Sequence, residues 1–167
     1  MMPLTILEYP DHRLRIRAKP VTTVNGNLIT LAHRMLDAMY VAPGIGLAAT
    51  QVNVHRQLLV LDVSEDRNDP LILINPVITA REGELETNEG CLSVPGYYEP
   101  VIRSENIRLD AVNSDGETFS MDANGLLAVC IQHEIDHLKG KLFVDYLSLT
   151  KRQIIRKKLL KQQKQRD

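Results

Sequence analysis

Two histidines and a glutamate lie within one five-residue stretch near the C-terminal end of the chain, His133-Glu134-Ile135-Asp136-His137. In a helix, side chains four residues apart lie on one face, one turn above the other. His133 and His137 can therefore direct their imidazole rings at one metal ion. Glu134 lies beside them, where its carboxylate can exchange a proton with a water whose pKa the metal has lowered. The pattern predicts a hydrolytic metal site.

The same residues could instead form the polar face of a solvent-exposed amphipathic helix. The preceding two turns argue against this, because they are apolar nearly all round: Leu126, Leu127, Val129, Cys130 and Ile131. Such a segment is typical of a buried helix. Buried histidines need polar partners or a metal, so we favour the metal site.

Two histidines do not complete a metal site, so a third protein ligand is needed. A downstream glutamate is excluded, because no glutamate follows Glu134. A third histidine in the extended His-Glu-x-x-His pattern is also excluded, because Phe143 occupies its position although Gly140 is in place. The best upstream candidate is Cys91, because a thiolate is a strong ligand and the preceding Gly90 allows close backbone approach.

Small residues dominate 44–51, which reads GIGLAATQ. They would let a ligand or another backbone approach closely, but a tight loop packed under a helix would have the same composition. A phosphate loop is excluded, because the Gly-Lys-Ser/Thr ending is missing. The side-chain amide of Gln51 could donate a hydrogen bond to a developing oxyanion.

The length of 167 residues predicts a single domain, with a catalytic part over 1–150 and a basic segment, 151–167, that belongs to it. The net charge is −1, yet the basic segment holds eight Lys or Arg and one acidic residue. The N-terminus lacks an apolar run of signal-peptide length, and no segment is suited to span a bilayer. Two cysteines do not make a disulfide framework. We therefore expect a cytoplasmic protein without a membrane partner.

Helices and strands alternate in the pattern of an α+β fold. A helix capped by Asn25 or Asn27 runs to about Tyr40. Strands are predicted over 57–63 and 71–79, a loop over the acidic 82–89, and a turn over 94–98. A hairpin over 101–112 and 117–121 turns at 113–116.

Two further helices complete the prediction. The helix with the histidines is capped by Asp122 or Asn124 and ends at Gly140. The last helix is capped by Ser148 or Thr150, with basic residues on one side and apolar residues on the other: Ile154, Ile155, Leu159 and Leu160. Its basic side is compatible with a solvated surface or with docking onto nucleic acid or a ribonucleoprotein.

Three separated stretches together resemble the bacterial peptide deformylase family. They are 44–51 (GIGLAATQ), 89–93 (EGCLS) and 132–137 (QHEIDH), each complete and in the expected order and spacing. The likeness continues through 73–76 (LINP), 140–143 (GKLF) and the basic C-terminal helix.

The resemblance implies an activity, a fold and a set of roles. The family removes the formyl group from the N-terminal formyl-methionine of nascent proteins. Its α+β fold packs antiparallel sheets around a central metal-binding helix, with an additional C-terminal helix. One divalent metal per chain is implied, natively Fe(II), with Zn(II), Ni(II) or Co(II) as substitutes. Cys91, His133 and His137 would be the ligands, Glu134 the general base and acid, and Gln51 with the Leu92 backbone N–H the oxyanion donors.

The resemblance also implies where the substrate binds. Substrate contacts are expected at Gly44, Ile45, Gly46, Glu89, Gly90, Leu126 and Val129, with Ile45, Leu126 and Val129 forming an apolar methionine pocket. The basic helix would dock at the ribosome, and we expect a monomer. Tyr97 and Tyr98 could flank the substrate groove or simply pack. Asp136 could pair with Arg103 or orient the helix.

Three other functions remain as alternatives. A small metallopeptidase would share His-Glu-x-x-His. The missing downstream ligand and the presence of Cys91 argue against it. A non-catalytic protein with a structural Cys-His-His site would need a fourth protein ligand. A homologue without activity is disfavoured by the intact Glu134, Gln51 and Cys91.

Overall fold

The computed structural model describes residues 3–166. Its helices are α1 (Gly26–Val41), α2 (Gly125–Leu138) and α3 (Leu149–Arg166). Its strands are β1 (Gly46–Ala48), β2 (Leu58–Leu61), β3 (Leu71–Glu82), β4 (Leu85–Cys91), β5 (Val94–Arg103), β6 (Asn106–Val112) and β7 (Thr118–Asn124). Short 3₁₀ helices occupy His12–Arg15, Ala49–Val52 and Phe143–Tyr146. The predicted α+β class is confirmed.

Five strands form one antiparallel sheet in the order β1-β2-β3-β6-β7. Successive side chains of a strand point to opposite faces, and both faces of this sheet are apolar in its central strands. Leu59 and Leu73 pack in the cluster that contains α2. Leu58 and Ile74 pack in the cluster that contains α1. The sheet thus carries one helix on each face.

Helix α1 begins where the sequence predicts it. The Asn25 side chain accepts a hydrogen bond from the Leu28 backbone N–H at 3.0 Å, which satisfies one of the free donors of the first turn. Leu28, Ala32 and Met39 lie on its buried face. The helix ends at Val41, shortly before Pro43.

Helix α2 lies on the other face of the sheet, with Ile131 and Ile135 in the apolar cluster there. Asn124 occupies the N-cap position but makes no side-chain capping bond. The chain leaves the helix at Gly140, whose φ of 81° lies in the left-handed region. His133 and His137 lie on the opposite face of α2, where they contact β4.

Strands β4 and β5 form a separate two-stranded antiparallel sheet. The predicted loop over 82–89 is therefore wrong, because the pairing from Leu85–Arg103 to Cys91–Val94 holds this acidic segment as a strand. Its charged residues fit because Glu86 stays exposed and Glu89 has a buried cationic partner. The predicted turn over 94–98 is also wrong, because these residues begin β5.

The hairpin between β6 and β7 is confirmed. The Asn113 side chain accepts hydrogen bonds from the backbone N–H groups of Asp115 and Glu117, both at 3.0 Å, which closes the turn. The first strand starts later than predicted, because residues 101–103 belong to β5.

Helix α3 is capped by Ser148, whose hydroxyl accepts from the Lys151 N–H at 3.2 Å. Ile155 and Leu159 pack in a third cluster with the N-terminal segment and β5. Ile154 and Leu160 were predicted on the same apolar side but are 48% and 41% exposed. Within residues 3–166, the helices lack the combined length and apolar character needed to span a membrane.

Candidate metal centre and active site

Three potential metal ligands converge at the junction of α2 and β4. The Nε2 atoms of His133 and His137 lie 3.2 Å apart. The Sγ atom of Cys91, at the end of β4, lies 3.2 Å from His137 Nε2. All three ligand atoms lie within 4.8 Å of one another. The helical spacing of the histidines and the strand end that carries Cys91 therefore produce one compact donor set.

The donor set fits a divalent metal. One thiolate and two imidazoles suit zinc or another first-row transition metal. Two nitrogens each about 2.0–2.1 Å from a tetrahedral ion would be about 3.3 Å apart, close to the 3.2 Å between the two rings. Burial lowers the pKa of His137 well below its usual value, and a metal binds the neutral form of the ring. Three protein ligands leave a coordination position for water or substrate.

Glu89 orients the first histidine. Its Oε1 lies 2.8 Å from His133 Nδ1, so that the opposite ring nitrogen faces the donor set. Burial raises the Glu89 pKa, but hydrogen bonds from Arg103 and His133 outweigh it and lower the pKa to about 2. Glu89 is therefore an ionised carboxylate in the protein interior.

Arg103 connects Glu89 to the outer side of α2. Its Nε and Nη2 donate to the two Glu89 oxygens at 2.7 and 2.8 Å. Its Nη1 donates to Asp136 at 2.6 Å, so the predicted pairing of these two residues is confirmed. Tyr146 also donates to Asp136, at 2.7 Å. The buried cation is neutralised on both sides, and a continuous chain of hydrogen bonds reaches His133.

Glu134 is buried beside the donor set, with 4% of its surface exposed. Its Oε1 has no hydrogen-bond partner among the described residues. Burial raises the pKa of Glu134 to about 7, a value suited to taking up and returning a proton near neutral pH. Its Oε2 lies against Gly46, since a Cβ there would be 2.5 Å away. Glycine at this position allows β1 to approach the carboxylate.

Gln51 lies on the other side of Cys91. Its side-chain oxygen accepts from the Ala48 backbone N–H at 2.9 Å, which fixes the amide orientation. Its Nε2 donates to Ser93 Oγ at 3.0 Å and lies 3.5 Å from Cys91 Sγ. The backbone N–H of Ser93 also points at this sulfur, at 3.4 Å.

A cleft of about 710 Å³ leads to the donor set. Gly44, Ile45, Gly46 and Gly90, all predicted substrate contacts, lie along it, as do Cys91, Leu92, His133 and Glu134. Glu89, Leu126 and Val129 are not among its lining residues. Glu89 lies behind His133, Leu126 is 52% exposed and Val129 is buried at 4% exposure, so their contact with substrate stays a prediction.

Tyr97 and Tyr98, in β5, both line this cleft. Tyr98 is 73% exposed, and its ring lies so close to Gly90 that a Cβ at Gly90 would collide with it. Tyr97 is partly buried against the third apolar cluster. Both tyrosines therefore flank the groove, and Tyr97 also packs against the apolar cluster.

Two contributors to the site are absent from the sequence-based prediction. Ser93 is fully buried and orients Gln51. Phe143 stacks near His133, with ring centroids 6.3 Å apart and planes at 29°. The sequence signal for Ser93 is its position two residues after a candidate ligand. Phe143 has no chemical signature, because a buried phenylalanine is typical of any core.

Comparison with known proteins gives consistent results. The family model described as polypeptide deformylase matches residues 3–153. The peptide deformylase of Azotobacter vinelandii is 60% identical over 166 residues, 99% of each chain. That of Teredinibacter turnerae is 59% identical over 167 residues, also 99% of each chain. A peptide deformylase crystal structure from Legionella pneumophila superposes with a TM-score of 0.93 at 47% identity, covering 99% of this chain and 98% of that one.

Proposed function

Because this chain belongs to the polypeptide deformylase family, we propose that Cys91, His133 and His137 hold one divalent metal at its active centre. Members of the family are metal-dependent hydrolases that remove the N-formyl group from nascent peptides. The observation that carries the proposal is the convergence of one thiol and two imidazoles beside a buried carboxylate at the end of a cleft.

Fe(II) is the proposed native metal, and Zn(II), Ni(II) or Co(II) can take its place. The mixed sulfur and nitrogen donor set accepts all four ions. Since Fe(II) binds more weakly than Zn(II) to a given site, the metal found after purification will depend on supply. An Fe(II) centre with a thiolate ligand is also open to oxidation at Cys91.

The cleft is suited to an extended peptide. Strand β1 is an edge of the five-stranded sheet, and β4 is paired only with β5 among the described strands. Both strands contribute to the cleft, through Gly46 of β1 with the two residues before it and through Gly90 and Cys91 of β4. An unpaired strand edge offers backbone donors and acceptors to a peptide in β conformation. We propose that the substrate backbone lies between these two edges.

The methionine side chain would enter an apolar pocket formed with Ile45, Leu126 and Val129. Gly44, Gly46 and Gly90 would permit close backbone approach of the substrate. Glu89 would contribute through His133, whose ring it orients.

Three groups of the chain act on the formyl group in this proposal. The bound metal would supply Lewis-acid polarisation and lower the pKa of water. Glu134 takes the proton of the attacking water and returns it to the leaving amine nitrogen, for which its pKa of about 7 is suited. The amide of Gln51 and the backbone N–H of Leu92 donate to the oxygen on which negative charge develops.

We propose that the enzyme is a cytoplasmic monomer whose residues 1–167 form one domain. Helix α3 is its proposed docking element for the ribosome. Its exposed basic residues are Lys151, Arg156, Lys157, Lys158, Lys161, Lys164 and Arg166. A cationic surface of this kind binds RNA phosphates and loses affinity as salt is raised. Co-sedimentation with ribosomes should therefore weaken in the K157E/K158E/K161E variant, while activity on free peptides stays unchanged.

Formate release from a formyl-Met tripeptide tests the central proposal. The protein is prepared anaerobically with Fe(II), and wild type is compared with Glu134→Ala and with Glu117→Ala, an exposed control in the β6–β7 turn. We expect release by wild type and the control, and a loss of about 10²–10⁴-fold in Glu134→Ala with metal content retained. Absence of release by metal-loaded wild type would refute the proposal.

A further inference from the structure

Residues 64–70, in the loop between β2 and β3, contact the wall of the cleft at Gly44. Arg67 Nη2 donates to the Gly44 carbonyl oxygen at 2.5 Å. The backbone N–H of Asp62 donates to the carbonyl of the next residue, Ile45, at 2.8 Å. The N–H of Gly44 donates to Met39 at the end of α1, at 2.7 Å. Consecutive polar groups of the cleft wall are therefore held by residues outside the cleft.

The Arg67 side chain is itself held in place. Its guanidinium lies over the Tyr40 ring, 5.0 Å from the centroid. The Tyr40 hydroxyl donates to Asp62 at 2.5 Å, and the Asp69 backbone N–H donates to the same carboxylate at 3.1 Å. Tyr40 and Asp62 thus tie the end of α1, the end of β2 and the loop together, and Arg67 extends this unit to Gly44.

The backbone of Arg67 has φ 57°, in the left-handed region that non-glycine residues rarely adopt. Residues other than glycine adopt this backbone conformation only where the surrounding structure enforces it. Here the loop accepts an unfavourable backbone conformation at the residue whose side chain reaches the cleft wall.

The segment that Arg67 holds lies beside residues of the proposed reaction. A Cβ at Gly44 would lie 2.8 Å from a methyl carbon of Leu92, so Gly44 and Leu92 are in direct contact. Gly46, two residues further along, lies against Glu134. A shift of residues 44–46 would therefore move the part of the cleft wall where β1 begins.

We propose that Arg67 is a positioning residue for substrate binding, which clamps the Gly44 carbonyl and so sets residues 44–46, where β1 begins, to receive the peptide backbone. The inference rests on the proposed function. Arginine is suited to this task, because its planar guanidinium can stack on an aromatic ring and donate in its own plane at the same time. Lysine can reach an oxygen as a point charge but lacks the planar stacking surface.

Steady-state kinetics of formate release from a formyl-Met tripeptide test the proposal with Arg67→Ala, Arg67→Gly and Arg67→Lys. We expect KM to rise about tenfold in the alanine and glycine variants, the change that follows from loss of one hydrogen bond from a charged donor. Turnover at saturating peptide and metal content should stay within about twofold, since the Arg67 side chain contacts the Gly44 carbonyl and the Tyr40 ring rather than a metal ligand or Glu134. Lysine should recover part of the loss.

The glycine variant distinguishes the effect of losing the Arg67 side chain from the effect of the strained backbone at this position. Glycine adopts positive φ freely, so a wild-type KM for Arg67→Gly beside a raised KM for Arg67→Ala would refute the clamp. An unchanged KM in all three variants, or a fall in kcat alone, would also refute it. Exposed Glu65 in the same loop and exposed Arg17 provide alanine controls that should keep the wild-type KM.

Two further outcomes are distinguished by the design. If wild type itself releases no formate, the proposed function is refuted, and the clamp, which rests on it, is refuted with it. If Arg67→Ala and Arg67→Gly do not fold, as judged by circular dichroism, Arg67→Lys decides: a KM raised about threefold supports the clamp, and a wild-type KM refutes it.

Discussion

The carboxylate of Glu89 lies 2.8 Å from the Nδ1 atom of His133, on the side of the ring opposite to the donor set. This contact places a charged group of β4 behind a candidate ligand of α2, and Arg103 holds the carboxylate from the other side. The orientation of the ring therefore depends on a residue 44 positions away in sequence.

Replacing Glu89 should weaken metal binding. In Glu89→Gln the carboxylate that orients His133 and neutralises Arg103 is lost, and we expect metal affinity to fall by about 10–100-fold. Competition with a chelator of known affinity measures this change. Glu86→Gln, an exposed position on the same strand, should bind metal like wild type. Equal affinities of the two variants would contradict an orienting role of Glu89.

Adding one methyl group at Gly46 should impair catalysis more than stability. The new Cβ would lie 2.5 Å from Glu134 Oε2 and 2.9 Å from Cys130 Sγ, so the carboxylate must move. Displacement of a proton-transfer group costs up to about 10²–10⁴-fold in rate, and we expect Gly46→Ala to lose at least tenfold in kcat. Formate release measures the loss. Gly26→Ala, where a Cβ meets nothing within 4 Å, is the matched control.

Asp62 should contribute to acid stability. Burial raises its pKa, but hydrogen bonds from Ser64 and Tyr40 outweigh it and lower the pKa to about 2, against 3.8 for the free side chain. A depressed folded-state pKa stabilises the protein fully above pH 4, and this contribution is lost as pH falls through 2. We therefore expect the free energy of unfolding to depend less steeply on pH between 4 and 2 in Asp62→Asn.

Urea unfolding at a series of pH values measures this slope. Asp66→Asn, an exposed residue of the neighbouring loop, should keep the wild-type slope. Parallel curves for wild type and Asp62→Asn would show that the buried carboxylate does not govern acid stability in this range.

Alanine at Gly140 should destabilise the fold. The residue has φ 81°, and a Cβ there would lie 2.5 Å from the backbone oxygen of Arg15, which has little freedom to move. The left-handed conformation alone costs about 1–2 kcal/mol for a side-chain-bearing residue. We expect a greater loss in the free energy of unfolding, measured by urea titration.

Gly96 provides the comparison for this prediction. Its φ is 86°, but a Cβ there meets nothing within 4 Å, so Gly96→Ala carries the conformational cost without the collision. A loss at Gly140 no larger than that at Gly96 would show that the contact with Arg15 has no energetic weight.

Local sequence determined the elements whose signals lie within one turn or one strand. The spacing of His133 and His137 places both on one helix face, whatever packs against it. Asn25 caps α1 through a bond to its own first turn. These predictions hold because the interacting groups are near neighbours in the chain.

Only the tertiary structure decided what depends on distant partners. The acidic stretch before Cys91 forms a strand because β5 pairs with it, and Glu89 is buried because Arg103 neutralises its charge. Gln51 is oriented by Ser93, and Gly44 is held by Arg67, through contacts across 42 and 23 positions. Strand pairing and charge compensation of this kind stabilise a residue only in the folded chain, because each depends on a partner that is distant in sequence.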